Sequence, residues 1–186
     1  QGNQAAQRGV IEPLAAMELD EIRRRQEEFT QIGLDAIRAC KVGAVLLAGG
    51  MGTRLGSDDP KGMYDIGMTR PVYIFERIIR NTLDVVERSG AWIPFFIMTS
   101  DKNHQATTTF FAEHDYFGYN REYIFFFQQE MAPASDYDGK VYMEEKGKIS
   151  TSPNGNGGWF VSMEKSGVGV NMRSRGVEWL NVFAVD

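Results

Sequence analysis

The chain has 186 residues, 42% hydrophobic and 24% charged, with a net charge of −5 from 20 basic and 25 acidic side chains. These are values of an ordinary soluble domain able to bury its own core, and the acidic balance argues against a general nucleic-acid binder, which carries a basic face. A lone cysteine, Cys40, rules out an internal disulfide. With no apolar run near ~18 residues and no signal-peptide pattern, the expectation is a cytoplasmic protein with no membrane and no nucleic-acid partner.

Residues 1–9 are polar and expected to be frayed. Over residues 13–40 the apolar positions Leu14, Met17, Leu19, Ile22, Phe29, Ile32, Leu34 and Ile37 recur at helical spacing, with Glu21, Arg24 and Glu27 on the other face. This predicts one or two helices, broken near Gln31-Ile32-Gly33. Residues 44–47 are a short apolar run bounded by glycine, hence a buried strand. Residues 72–88 predict a helix with Ile74, Phe75, Ile78, Ile79 and Leu83 on one side. A buried strand over 95–99, a helix over 103–114 and a third strand over 123–128 follow. Residues 140–142 and 148–150 resemble short exposed strands. Helices over 158–166 and 171–175 and a fourth buried strand over 179–185 complete the reading. Strands alternating with helices predict an α/β fold with a mostly parallel, doubly wound sheet.

The first strand runs into Leu46–Gly56, LLAGGMGTRLG, followed by Pro60-Lys61-Gly62. Glycines at 49, 50 and 52 let backbone N–H groups approach phosphate oxygens, because no Cβ intervenes. Arg54 can fork onto a phosphate and Lys61 supplies a point charge. Glycines alone would equally suit a tight strand-to-helix turn. The segment is not a P-loop, since no Gly-Lys-Ser/Thr follows at the required spacing, and Arg54-Leu55 intrudes where a dinucleotide fingerprint would begin its helix.

LAGGMGTRLG with PKGMYDIG resembles the sugar-phosphate nucleotidyltransferases, and within them the UDP-N-acetylhexosamine pyrophosphorylase branch. Three further segments stand in that family's order: residues 126–134, FFQQEMAPA; residues 152–158, SPNGNGG; and residues 183–186, FAVD. Mannose and deoxythymidine enzymes usually carry Pro-Lys-Pro or Ser-Lys-Gln after a longer spacer. Eukaryotic UDP-glucose enzymes carry Gly-Thr-Ser-Met where this chain has Gly52-Thr53-Arg54-Leu55. The resemblance covers residues 42–186 and implies a Rossmann-like three-layer α/β/α sandwich, truncated, with N-terminal helices. Residues 1–40 would form the helical segment and 41–186 the nucleotide-binding part of the catalytic domain. The implied activity joins UTP and N-acetylhexosamine 1-phosphate, releasing pyrophosphate with Mg²⁺. A UDP-glucose or broad UDP-sugar pyrophosphorylase, and a nucleotide-binding module without turnover, are the alternatives.

By the same resemblance Leu47, Ala48, Gly49, Gly50 and Gly52 contact the uridine and begin the phosphate cradle, with Gly155 and Ala184 completing the nucleotide site. Arg54 holds the departing pyrophosphate and Lys61 another phosphate, stabilising charge on a transferring phosphoryl group. Gln129 is the candidate uracil reader, with Gln128 the alternative, since strand alternation puts only one of them on a given face. Met131-Ala132-Pro133-Ala134 departs from the family's usual Met-Leu-Pro-Ala. Asn156 is expected to reach the sugar or its phosphate, and Asp186 to bind Mg²⁺ together with phosphate oxygens. Family members are much longer, so the chain is expected to lack most of the sugar pocket and to be inactive alone. His104, His114 and Cys40 are expected to be structural. Phe125, Phe126 and Phe127 are expected in the sheet core, and Asp58, Asp59, Asp136, Asp138, Glu144 and Glu145 as solvated charges.

Overall fold

The computed structural model describes residues 9, 10, 12–153 and 155–185, with the Arg54 side chain outside the description. The expectation for residues 1–9 therefore lies almost wholly outside the described residues, and those for Asp186 and the Arg54 side chain lie outside them too. The chain divides into two compact units that meet between Gly33 and Leu34. In the first, α1 (Leu19–Arg24) is followed by α2 (Gln26–Arg38), which continues into the second unit. The break falls at Arg25, not near residues 31–33, and no helix forms over 12–18. Gly33 is tolerated inside α2 because a helical glycine costs only ~1 kcal/mol against alanine. At the break, Arg25 instead bridges Glu21 and Glu28 at 3.4 and 2.9 Å.

The second unit is built on a four-stranded parallel sheet. Its strands are β1 (Val42–Leu47), β2 (Phe95–Thr99), β3 (Ile124–Gln128) and β8 (Trp179–Ala184), in the order β3-β2-β1-β8. Residues of β1 and β2 alternate between two cores, as a sheet buried on both faces requires. Ala44, Leu46, Phe95 and Ile97 join Phe75, Ile79, Phe110 and Phe111 from α3 (Ile74–Ser89) and α4 (His104–Glu113). Val45, Phe96 and Met98 face the other way, onto Met163 and Met172 from α5 (Trp159–Lys165) and α6 (Val168–Ser174). Helices thus cover both faces, giving the three-layer α/β/α arrangement. α3 stops at Gly90, whose φ of 72° is the left-handed conformation that terminates helices most easily on glycine.

Between β3 and α5 the chain makes two small antiparallel pairs. β4 (Met131–Pro133) pairs with β7 (Thr151–Pro153), and β5 (Met143–Glu145) with β6 (Lys148–Ile149). Residues 140–142 do not form the expected strand; only Val141 makes a bridge, to Ser135. The segment closes a turn instead: the Asp136 carboxylate accepts the N–H groups of Asp138 and Lys140 at 3.0 and 2.8 Å, and Tyr142 N–H donates to Ala134 O at 2.9 Å. Phe125, Phe126 and Phe127 are sheet core, divided between its two faces.

Candidate nucleotide site at the sheet's switch point

After β1 the chain runs outward to β2 and β3, then returns to lay β8 on β1's other side. The strand order therefore reverses between β1 and β8. In open parallel sheets, loops leaving the carboxyl ends diverge at that point and leave a crevice. Here the crevice is a cavity of about 430 Å³ lined by Gly50, Met51, Leu55, Lys61, Asn156, Ala184 and Val185. The expected residues Gly50, Lys61, Asn156 and Ala184 converge there from three separate stretches of the chain.

The glycine loop is held by backbone pairing. Ala48 N–H donates to Met98 O at 2.8 Å, and Val185 N–H donates to Leu47 O at 3.2 Å, tying the ends of β2, β1 and β8 together. Beyond the turn, Met51 pairs with Pro60. Gly52 N–H donates to Asp59 O at 2.8 Å and Lys61 N–H to Gly50 O at 3.2 Å. This small ribbon returns the chain so that Lys61 stands beside Gly50, eleven positions away in sequence. Gly52 does not line the cavity; it begins a 3-10 turn (Thr53–Leu55) and packs against Asp59 O. Asp58 and Asp59 are exposed, and Asp59 N–H donates to Ser57 Oγ at 3.1 Å.

Lys61 opens a second 3-10 turn (Lys61–Met63) seated on the core. A Cβ at Gly62 would fall 2.2 Å from Cζ of the fully buried Phe75. The glycine after Lys61 is thus demanded by packing, a reason invisible in the motif alone. Further along, the Asp65 carboxylate accepts the N–H groups of Val72 and Gly67 at 2.9 and 2.8 Å, which holds it below the usual carboxylate range. The 65–72 loop is closed by this side chain.

At the end of β3 the two glutamines separate as alternation demands: Gln128 is exposed and Gln129 buried. Gln129 N–H donates to Thr99 O at 2.8 Å. Its amide reaches the glycine loop: a Cβ at Gly49 would lie 2.6 Å from Gln129 Nε2. Glu130 N–H then donates to Ser162 Oγ, whose hydroxyl donates to Gly158 O, both at 3.0 Å. Pairing of β4 with β7 brings the FFQQEMAPA and SPNGNGG segments together, Met131 opposite Pro153. The turn beyond β7 passes through Gly155 at φ 73°, which aims the chain back so that Asn156 enters the cavity wall.

Two buried residues escaped the sequence reading. Asn103, read only as a helix start, is fully buried and donates from Nδ2 to Ala48 O at 2.9 Å. Thr99 is fully buried, with Oγ1 2.7 Å from His104 Nδ1 and donating to Phe127 O at 3.1 Å. Neither was legible in the sequence, because the partners of Asn103 lie more than fifty positions away and nothing pointed to Thr99. Among the described residues no group of three or more His, Cys, Asp or Glu could hold a metal. Among the described residues no helix is long and apolar enough to cross a membrane.

Residues 6–186 match the family model described as UTP–glucose-1-phosphate uridylyltransferase. The chain is 39% identical over 168 residues to the UDP-N-acetylglucosamine pyrophosphorylase of Saccharomyces cerevisiae, covering 88% of this chain and 35% of the yeast protein. It is 40% identical to the human UDP-N-acetylhexosamine pyrophosphorylase-like protein 1, covering 89% of this chain and 33% of that protein. The crystal structure of the uridine diphosphate N-acetylglucosamine pyrophosphorylase of Trypanosoma brucei in complex with an inhibitor superposes with a TM-score of 0.77 at 30% identity, covering 91% of this chain and 37% of that one. The chain spans about a third of the length of the curated relatives it matches. A family model that runs through the glycine loop, the Gln129 segment and both walls of the switch-point cavity places the chain in the UTP–glucose-1-phosphate uridylyltransferase family.

Proposed function

We propose that this chain carries the uridine-nucleotide site of an enzyme that joins UTP and N-acetylhexosamine 1-phosphate to give UDP-N-acetylhexosamine and pyrophosphate. The observation that carries it is the cavity between β1 and β8, where Gly50, Lys61, Asn156 and Ala184 meet. Support for the amino sugar comes from relatives at 39 and 40% identity whose names specify N-acetylglucosamine or N-acetylhexosamine. The name of the family model favours a second reading, glucose 1-phosphate as the acceptor of the uridylyl group.

In the proposed reaction a phosphate oxygen of the sugar phosphate attacks the α-phosphorus of UTP, a new P–O bond forms, and pyrophosphate leaves with the electrons of the broken one. The attacking phosphate is already ionised near pH 7, so no strong general base is needed. The glycine loop brings backbone N–H groups to the phosphates, and Gln129 reads the uracil edge across Gly49. Lys61 and Arg54 stabilise negative charge as pyrophosphate departs, Asn156 meets the sugar side, and Gly155 and Ala184 close the nucleotide site. Bound Mg²⁺, held with the help of Asp186, would neutralise phosphate charge.

The test is a calorimetric titration of the chain with UTP, alongside pyrophosphate release in the presence of UTP and N-acetylglucosamine 1-phosphate or glucose 1-phosphate. UTP binding with a Kd in the micromolar-to-millimolar range, roughly 4–8 kcal/mol of affinity, supports the nucleotide site. Failure to bind UTP at millimolar concentration overturns it. Substrate choice is settled by the same release assay on a relative-length protein containing these residues.

A further inference from the structure

Resting on the uridine-nucleotide reading above, we infer that Asn103 is a positioning residue that fixes the peptide planes of the glycine loop. Its side chain makes three contacts from one fully buried position. Oδ1 accepts Ser100 N–H at 2.8 Å, while Nδ2 donates to Ala48 O at 2.9 Å and to Gly50 O at 3.3 Å. The amide orientation follows from these partners: one is an obligate donor and two are obligate acceptors, so the oxygen must face Ser100 and the nitrogen the loop.

The consequence comes from the planarity of the peptide bond. In a trans peptide the C=O of one residue and the N–H of the next point in opposite directions. Holding Ala48 O and Gly50 O toward Asn103 therefore turns the N–H groups of Gly49 and Met51 away from it. Neither amide hydrogen has an acceptor among the described residues. Two donors are thereby oriented and kept available, one on each side of Gly50, in a loop whose glycines leave the backbone accessible. Gly50 O also accepts Lys61 N–H at 3.2 Å, so the same carbonyl that Asn103 holds anchors the turn bearing Lys61. On its other side, Ser100 adjoins Thr99, whose carbonyl accepts Gln129 N–H at 2.8 Å. Asn103 thus joins the phosphate side of the site to the base side through short, buried contacts. A helix start alone needs none of this, and the Asn103 side chain makes no capping bond to α4.

The experiment follows backbone and side-chain amide exchange by NMR in the ligand-free chain, and UTP affinity by calorimetry, for the wild type, Asn103→Ala and Asn103→Asp. Aspartate matches asparagine in size but, ionised, offers only acceptors to the two loop carbonyls. Both variants are expected to speed exchange at Lys61, whose N–H donates to the Gly50 carbonyl that Asn103 holds, leave Leu46 and Ile97 protected, and weaken UTP binding ~10-fold or more, the scale of one or two lost buried hydrogen bonds. An Asn103→Asp protein that keeps wild-type loop exchange and UTP affinity overturns the inference, since volume alone would then suffice. If wild type binds no UTP but Asn103→Ala still speeds exchange of the Lys61 amide, the clamp stands and the uridine reading falls. Should neither variant fold, the wild type decides: Asn103 side-chain amide protons that exchange as fast as those of the exposed Gln128 overturn the clamp, and strong protection supports it.

Discussion

Replacing Gly49 by alanine separates the base pocket from the phosphate cradle. The added Cβ would lie 2.6 Å from Nε2, 2.9 Å from Cδ and 3.1 Å from Oε1 of Gln129. The loop backbone at Gly49 lies outside the left-handed region, so alanine is conformationally acceptable there. The obstacle is the end of a flexible side chain, and Gln129 must be the part that yields. Ordinary carbon contacts need about 3.5 Å, so the amide retreats by roughly 1 Å. A displacement of that size takes a hydrogen bond out of its useful 2.7–3.2 Å range. The uracil contact should therefore weaken by about 1–2 kcal/mol, or roughly 5–30-fold in Kd. ATP shares the triphosphate but lacks the pyrimidine edge, so its affinity should change little. Titration of wild type and Gly49→Ala with both nucleotides makes the comparison, with thermal unfolding run beside it. A melting temperature within a few degrees of wild type is expected. Equal losses for UTP and ATP, or unchanged UTP affinity, would refute the assignment of Gln129 to the base.

Gly62→Ala should behave in the opposite way: its Cβ falls 2.2 Å from a Phe75 ring with no room to move, so the fold should lose about 1–3 kcal/mol, read as an earlier urea midpoint. An unchanged midpoint would show that Phe75 has space the structure does not reveal. Asp65 has a depressed folded-state pKa, so its contribution is present above its unfolded value of about 4 and fades as pH falls through the lower folded value. Asp65→Asn should therefore lower stability at neutral pH and flatten the acid limb of urea midpoint against pH; parallel limbs would count against the Asp65 clasp. Lys61→Ala should weaken UTP binding and reduce its salt dependence while leaving the melting temperature nearly unchanged, and identical salt slopes in the two proteins would remove Lys61 from the phosphate site.

The sheet was legible because burial on both faces leaves continuous apolar runs. Residues 95–99 are fixed by Phe95, Phe96, Ile97 and Met98, all fully buried, and strand β2 begins and ends where that run does. Helix α3 was legible through Phe75 and Ile79, whose spacing puts both on one core. The N-terminal helices were less so. Their apolar positions lapse between Ile22 and Phe29, across the polar run 23–28 where the helices break, and Leu14, Leu19 and Ile32 remain exposed, so the spacing carried little information about where packing would end. Residues 140–142 differed for another reason: an Asx turn at Asp136 takes the Lys140 N–H, leaving a lone bridge at Val141 and a bond from Tyr142 N–H to Ala134 O instead of a strand. Local motif order pointed to Gly50, Lys61, Asn156 and Ala184, which the fold brings to one cavity. It could not reveal Asn103, because the bonds that give it meaning reach across more than fifty positions to Ala48 and Gly50.

These contacts divide the cavity into a fixed floor and a lightly held cover. The floor is the carboxyl end of β1, tied to β2 by Ala48 and to β8 by Val185, and clasped from behind by a side chain with no solvent exposure. Asn156 belongs to the cover. It follows a three-residue ribbon, β4 with β7, whose β7 residues are exposed, and it turns through a left-handed glycine rather than a packed element. Segments with few buried contacts open at lower free energy than the core does. If the cavity takes the proposed nucleotide, ordering the cover would cost affinity, whereas the floor is already held in place. The phosphate cradle should accordingly govern how tightly a triphosphate is held, and the Asn156 side how completely the second substrate is enclosed. Both motifs are rich in glycine, but only the one near Gly49 is backed by a fully buried side chain that holds its carbonyls.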